Sequence, residues 1–447
     1  MKKVSGFEKF AYSMGAFGQN FAYAIMSTYL MIFYTDSFGM ATATAGTLFL
    51  VARIWDAVLD PLIGLLVDRT NLKSGKFRPF ILIGGVLAGL FTILCFFNPS
   101  LGLTGKIIYA YITYIIWGTT YGLMDVPYWS MAPSMTTDPA ERTKIVSIPK
   151  ITATIGTLLV AALTIPLVKA IGGGNDSKGY FGTALIFGIL CAGGAVVAAV
   201  WTKERVKVEK KQGEKFVDSV YVVLKNHPLL LLLLMNTLTG AALTIKQTVV
   251  NYYFKYNIGN EDLIPYFALA SLVPMLIAMI LSPAISNKIG KKRTAIWGGI
   301  IGAVFSAVIY FFQNNLVLLF IFNSLSLVGN GVMMVLTLSM MSDTVEYAEW
   351  KTGKRSESII FSFGTFTNKL SGAIGGALTG YWLKLVGYVP NVPQTQTSLN
   401  GINAMLSWAP AVGLLAMAVI MMFYNLTEER HAEILKELEA RKTNSAQ

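Results

Sequence analysis

Residues 50–80 read LVARIWDAVLDPLIGLLVDRTNLKSGKFRPF, and this stretch decides the fold. Its first part is long and apolar enough to cross a bilayer, for which about 20 such residues suffice, yet it carries Arg53, Asp56 and Asp60. Arg69, Lys73, Lys76 and Arg78 follow at once. Basic residues directly behind an apolar span mark the cytoplasmic side of a membrane. Asp56 and Asp60 lie four apart and therefore share one helix face. Two carboxylates there repel, and burying them without a counterion is costly. The pair makes sense if it encloses a cation or holds a proton; the alternative is a structural ion-pair knot with Arg53.

The rest of the chain repeats this alternation. Of its 447 residues 54% are hydrophobic and only 13% charged, whereas a soluble protein has about a quarter of its residues charged. The solvent for most of it must be lipid. Apolar spans are expected at 9–35, 41–67, 79–97, 105–132, 145–169, 179–201, 228–254, 263–287, 294–312, 316–342, 357–385 and 401–424. The net charge of +12 sits between these spans, in the pattern of membrane loops, and so does not point to nucleic acid. Bases follow the even-numbered spans: Arg142 and Lys144, Lys203 to Lys225, Lys288 to Arg293, and Lys351, Lys354 and Arg355. The connections at 38–40, 313–315 and 388–399 carry none. This asymmetry predicts cytoplasmic termini and an even number of spans.

The charged connection at 203–227 divides the spans six and six, giving bundles at 1–202 and 228–425 and a polar tail at 426–447. A weak internal repeat agrees: DRTNLKSGKFRP follows the second span of the first half and NKIGKKRT the second span of the latter half. Paired halves of this kind suit carriers that alternate access by rocking one bundle against the other.

Further charges lie where lipid should exclude them. Asp125, in YGLMDVPYWSMAP, stands four residues before Trp129 on the same helix face. The acid can complete a cation site or accept sugar hydroxyls, and an indole stacks on the apolar face of a sugar ring. Lys369, in FSFGTFTNKLSGAIGG, is expected to partner the buried acids. Lys150 and Lys246 either face a cavity or snorkel to the surface. Asp343, Glu346 and Glu349 meet Lys351, Lys354 and Arg355 just inside the membrane, where they can latch onto Arg69, Lys73 or Arg78, or pair locally.

These observations imply a cation-coupled carrier of a polar solute. Nothing resembles a hydrolase, metalloprotease, nucleotide or cofactor motif, so neither enzymatic chemistry nor a cofactor is expected. Cys95 and Cys191 both fall in apolar runs and suggest no disulfide or metal site. His227 and His431 lack neighbours at ligand spacing. A membrane sugar sensor is the alternative from another class. It would need a signalling domain or a large loop, and neither is apparent.

Four motifs in order, DAVLDPLIG, GKFRPF, MDVPYWSMAP and DTVEYAEWKTGKRSESI, resemble the glycoside-pentoside-hexuronide:cation symporters, the family of the melibiose carrier. The resemblance runs from Phe7 to Glu429. It implies an all-α membrane protein with the major facilitator fold of 12 helices, in the bacterial inner membrane, moving a sugar or glycoside with a proton or sodium and needing no protein partner. By the same resemblance Asp56, Asp60 and Asp125 are the cation-coupling acids. Asn20, Asp125, Trp129, Lys150, Met334, Thr365 and Lys369 are the substrate positions. Arg69, Lys73, Arg78, Asp343, Glu346, Glu349 and Arg355 form the cytoplasmic gate.

Departures from that family's pattern bear on specificity. Asn20 replaces an acid, Met334 a tryptophan and Lys150 an arginine; Gly122 replaces a threonine and Leu59 an asparagine beside the cation site. The last two remove oxygens that a hard cation needs, favouring a proton over sodium at Asp56 and Asp60. Asp125, Trp129 and Lys369 suit a neutral galactoside. Lys150 and Lys246 also suit an anionic sugar, a glucuronide or a sulfonated hexose, moved by sodium-coupled symport or exchange.

Overall fold

The computed structural model describes residues 4–70, 75–136, 139–205, 216–313, 315–353 and 357–445. Lys73, Arg355 and the side chain of Arg69 lie outside the described residues. The elements are helical: α1 (Gly6–Ile32), α2 (Thr42–Arg69), α3 (Arg78–Cys95), α4 (Leu103–Met135), α5 (Pro139–Gly172), α6 (Asp176–Trp201) and α7 (Phe216–Lys225). There follow α8 (His227–Tyr252), α9 (Ile264–Ile289), α10 (Lys291–Val308), α11 (Leu316–Thr352), α12 (Glu357–Leu385), α13 (Gln396–Met422) and α14 (Glu428–Ser445). Short π-helical turns, Phe33–Ser37 and Tyr253–Ile258, extend α1 and α8.

Among the described residues eight helices are long and apolar enough to span a membrane: α3, α5, α6, α8, α9, α10, α11 and α13. The protein is an all-α, multi-pass membrane protein. The twelve spans expected from sequence are met by eight on this criterion, for a physical reason. Helices α1, α4 and α12 carry Gln19 and Asn20, then Asp125, then Lys369, while α2, with Arg53, Asp56 and Asp60, includes side chains outside the described residues. Polar groups that serve a site lower the apolar character of the helix that carries them.

Two boundaries differ from the sequence reading. The stretch from Asp343 to Thr352, taken as a charged segment beyond the span ending at 342, continues α11 as helix. Gly353, at φ +71°, stops it by donating to the carbonyl of Glu349 at 2.8 Å. Within the linker of 203–227, residues Phe216–Lys225 are helical and bury Val222 and Val223.

The described chain forms two compact units. The first comprises residues 1–210, 250–268 and 376–398, and the second 211–249, 269–375 and 399–447. In the first, α1 packs on α5 and α6, α3 on α4 and α6, and α2 on α4. Helices α1 and α6 touch backbone to backbone: a methyl on Gly18 would come 2.5 Å from the Leu190 carbonyl, and one on Gly194 2.4 Å from that of Met14. Small residues permit such approach where lipid leaves packing, rather than a hydrophobic drive, to join helices. The GKFRPF turn is tied down by Glu204, whose carboxylate accepts from the backbone N–H of Lys76, Phe77 and Arg78 at 2.8, 2.9 and 3.1 Å. An acid at the N-terminus of α3 satisfies its open donors and its dipole.

In the second unit α10 packs on α11, and α7 and α14 lie against the end of α11. Ile434 and Leu438 of α14 share a buried cluster with Val222, Val223, Val345 and Ala348. The polar tail is thus a docked amphipathic helix.

Candidate functional site

Three polar constellations are built in the first unit. On α2, Arg53 Nη1 donates to Asp56 Oδ2 at 3.0 Å, and Asp56 is 6% exposed. Opposite stands α4, which meets the acids with glycines at the same spacing of four. A methyl on Gly118 would lie 2.5 Å from Asp56 Oδ1, and one on Gly122 3.0 Å from Asp60 Oδ1. The pairing 56 with 118 and 60 with 122 sets a four-residue ridge of α2 into a four-residue groove of α4. Residue 122 is therefore within reach of Asp60, as expected, and offers it no side-chain oxygen.

One turn further along α4, Asp125 accepts from Trp129 Nε1 at 3.0 Å and, closely, from Gln19 Nε2 of α1. Gln19 also donates to the Tyr121 hydroxyl at 3.0 Å and is 2% exposed. Its position is fixed by an adjacent weld between α1 and α4. Tyr12 and Tyr128 stack at 4.4 Å, and each hydroxyl donates to the other's carbonyl at 2.5 Å. An acid held by an indole and an amide is a preorganised acceptor. Gln19 was not singled out in the sequence; its signal is an amide in an apolar helix beside Asn20. Asn20 itself turns the other way, donating to the Ala16 carbonyl at 2.9 Å and accepting from Thr157 of α5 at 3.3 Å. Lys150, also on α5, is exposed.

The third constellation surrounds Asp36, which sequence reasoning missed. Its carboxylate accepts from Lys255 Nζ at 2.6 Å, from the Tyr388 hydroxyl at 2.5 Å, from Thr35 at 2.7 Å and, closely, from Tyr256. Asn391 donates to its backbone carbonyl at 2.5 Å. Burial pushes the Tyr388 hydroxyl well above the ordinary tyrosine value, so it remains a neutral donor.

The second unit holds the remaining candidates. Thr365 is exposed, its hydroxyl bonded to the Phe361 carbonyl at 3.2 Å, and Lys369, one turn on, is half-buried. Met334 is 60% exposed. Lys246 does not snorkel; it is 4% exposed and donates to Ser326 Oγ at 2.8 Å. Of the gate residues, Asp343 pairs with Lys291 at 2.5 Å and Glu346 stands 3.5 Å from His431 of α14. Glu349, on the same stretch of α11, is half-buried. Arg78, in the first unit, donates to the carbonyls of Ala199 and Val200 at 2.6 and 3.1 Å.

Ionisable side chains set into spanning helices define a class, a secondary active transporter rather than an enzyme. The comparisons with known proteins agree and narrow it. Residues 11–428 match the family described as MFS/sugar transport protein, and the chain belongs to that family. The symporter YjmB of Bacillus subtilis is 34% identical, covering 98% of this chain and 96% of that protein. The isoprimeverose transporter of Lactiplantibacillus pentosus is 33% identical over 97% and 91%. A protein of Escherichia coli named "Putative sulfoquinovose importer" is 34% identical over 97% and 94%. The solved structure of a bacterial Spinster homologue, inward-facing and unoccupied, covers 98% of both chains with a TM-score of 0.71 at 11% identity, which establishes the major facilitator fold.

These findings correct the narrower resemblance to the glycoside-pentoside-hexuronide:cation symporters. The family matched across nearly the whole chain is the MFS/sugar transport family, and the relatives named above are not melibiose carriers. Residue roles carried over from that carrier lose their warrant and rest on geometry alone.

Proposed function

We propose that the protein is a proton-coupled symporter of a sugar or glycoside, built as twelve spans in two six-helix halves, 1–202 and 228–425. In this reading both termini face the cytoplasm of a bacterium, with 203–227 as the connecting segment and 426–447 as a cytoplasmic tail. The observation that carries the coupling is the α2–α4 interface. Asp56 is neutralised by Arg53, and Asp60 lies against Gly122, which has no side-chain oxygen to give. Sodium needs several oxygens, whereas a proton needs one carboxylate. Asp60 then carries the proton. Asp125, oriented by Gln19 and Trp129, accepts sugar hydroxyls, with Trp129 as the stacking surface; Thr365 and Lys369 supply further polar contacts. The latch of Asp343, Glu346 and Glu349 with Arg78 belongs to the closed state of the cytoplasmic side. Support for a sugar comes from relatives named for isoprimeverose and sulfoquinovose. The neutral galactoside suggested by Asp125, Trp129 and Lys369 has no counterpart among those names.

The test is uptake of radiolabelled glycosides into proteoliposomes, with proton and sodium gradients imposed separately. Accumulation driven by protons and abolished in Asp60→Asn, with exchange at equilibrium retained, is the expected result. Accumulation driven by sodium alone refutes the proton assignment. Mere equilibration under both gradients refutes symport.

A further inference from the structure

Proton coupling at the acids of the first unit leaves a buried base in the second without a role. Lys246 is 4% exposed, and Ser326 Oγ is its hydrogen-bond partner, at 2.8 Å. That hydroxyl spends its proton on the Asn323 carbonyl at 2.7 Å, so the ammonium rests on one oxygen lone pair. Among the described residues no carboxylate lies within 4.0 Å of Nζ. Asn323, 1% exposed, donates Nδ2 to Ser271 Oγ at 2.5 Å, while its Oδ1 finds no donor among the described residues.

An ammonium has three donors and strongly disfavours an apolar setting without an anion. A lysine kept within a spanning helix marks a functional site unless a partner explains it, and the partner here is one hydroxyl. The side-chain oxygen of Asn323, three residues before Ser326 on α11, is likewise unmet. The cluster is thus short of one anion and one hydrogen-bond donor, and a sugar acid presents both on one small molecule.

We propose that Lys246 receives the acidic group, sulfonate or carboxylate, of the transported sugar, and that Asn323 Oδ1 accepts one of its ring hydroxyls. This deepens the sugar-symport reading and rests on it. Helices α8 and α11, which carry Lys246 and Ser326, part to admit the ligand and close behind it. Selectivity for acid over neutral sugar follows from charge: a neutral sugar would leave the ammonium unpaired.

The experiment compares proton-driven uptake of a methyl glucuronide, a sulfonated methyl hexoside and the matching neutral methyl hexoside by wild type, Lys246→Gln and Lys246→Arg in proteoliposomes. Thermal unfolding and gel filtration in detergent check that each variant is folded. Wild type is expected to accumulate at least one of the two acids in preference to the neutral sugar. Lys246→Gln should lose that preference by about 10- to 100-fold in apparent affinity, the worth of a charge-assisted bond, and Lys246→Arg should keep most of it. A folded Lys246→Gln protein with the acid preference intact overturns the proposal, as does wild type that accumulates only the neutral sugar. Failure of every sugar to accumulate under any gradient sinks the symport reading and this proposal with it. A misfolded Lys246→Gln shifts the decision to Lys246→Arg and to the wild-type preference itself, which must still favour the acid.

Discussion

Replacing Asp36 with asparagine should release the turn at 253–258 and the segment at 386–391 from the end of α1. The carboxylate is 3% exposed and gathers Lys255, Tyr256 and Tyr388 from two distant stretches of sequence. A hydrogen bond to a charged group contributes about 1.5 to 3 kcal/mol and a neutral one about 0.5 to 1.5, so three bonds that lose charge assistance forfeit about 3 kcal/mol. Lys255 is partly open to solvent, with 20% of its side chain exposed, and its share must be discounted. About 2 kcal/mol remains, equivalent to about a 30-fold rise in the population of the released state at 1.4 kcal/mol per factor of ten. The natural cysteines, Cys95 and Cys191, are buried and so permit a reporter. Thr28→Cys suits, because only its backbone carbonyl engages the neighbouring segment, through Asn251 at 2.6 Å. Labelling of that cysteine by a membrane-impermeant maleimide on intact cells should speed up by about the same factor in the Asp36→Asn background. An unchanged labelling rate, with the protein folded, would refute the reasoning that Asp36 holds these segments together.

Two further outcomes follow from close packing. Gly118→Ala should lower thermal stability in detergent relative to Gly122→Ala, because its methyl meets Asp56 Oδ1 at 2.5 Å and the other meets Asp60 Oδ1 only at 3.0 Å. Overpacking costs about 1 to 3 kcal/mol, against about 1 kcal/mol recovered from replacing a helical glycine. The reverse order of melting temperatures would show that the α2–α4 register is misread. Ile434→Ala, at a fully buried position of α14, should weaken tail docking by about 2 to 4 kcal/mol. Trypsin cleavage at Lys436 or Arg441 should then accelerate at least tenfold, and an unaltered digestion pattern would mean that the tail does not rely on that contact.

Much of the fold was legible because its signals are local. Apolar run length gave the helix bounds to within a few residues for most helices. What misled the reading was also local: the charges from Asp343 to Lys351 resemble a loop, but Val345 and Ala348 recur at helical spacing and are buried beneath α14. The site was legible where one helix carries two partners, as with Arg53 and Asp56 or Asp125 and Trp129. It was not legible where partners come from distant helices. Gln19 reaches Asp125 across 106 positions, and Tyr388 reaches Asp36 across 352. No periodicity within a helix encodes such a contact, since it depends on how helices are stacked.

The same logic explains why a charge is informative here and an apolar residue is not. In a lipid-facing helix any leucine will do, so its presence decides nothing about neighbours. A carboxylate or ammonium persists in a span only with a partner, and the structure shows these partners to be of two kinds. Asp36 and Asp56 are met by fixed protein cations, Lys255 and Arg53, which makes them structural anchors that a conformational change must break or carry along. Among the described residues Lys246 is met by a hydroxyl alone. If every buried charge served transport alike, the anchors would carry it too. The chemistry points the other way: the groups whose charge the protein itself leaves least balanced are the ones a transported ion or solute has something to gain by meeting.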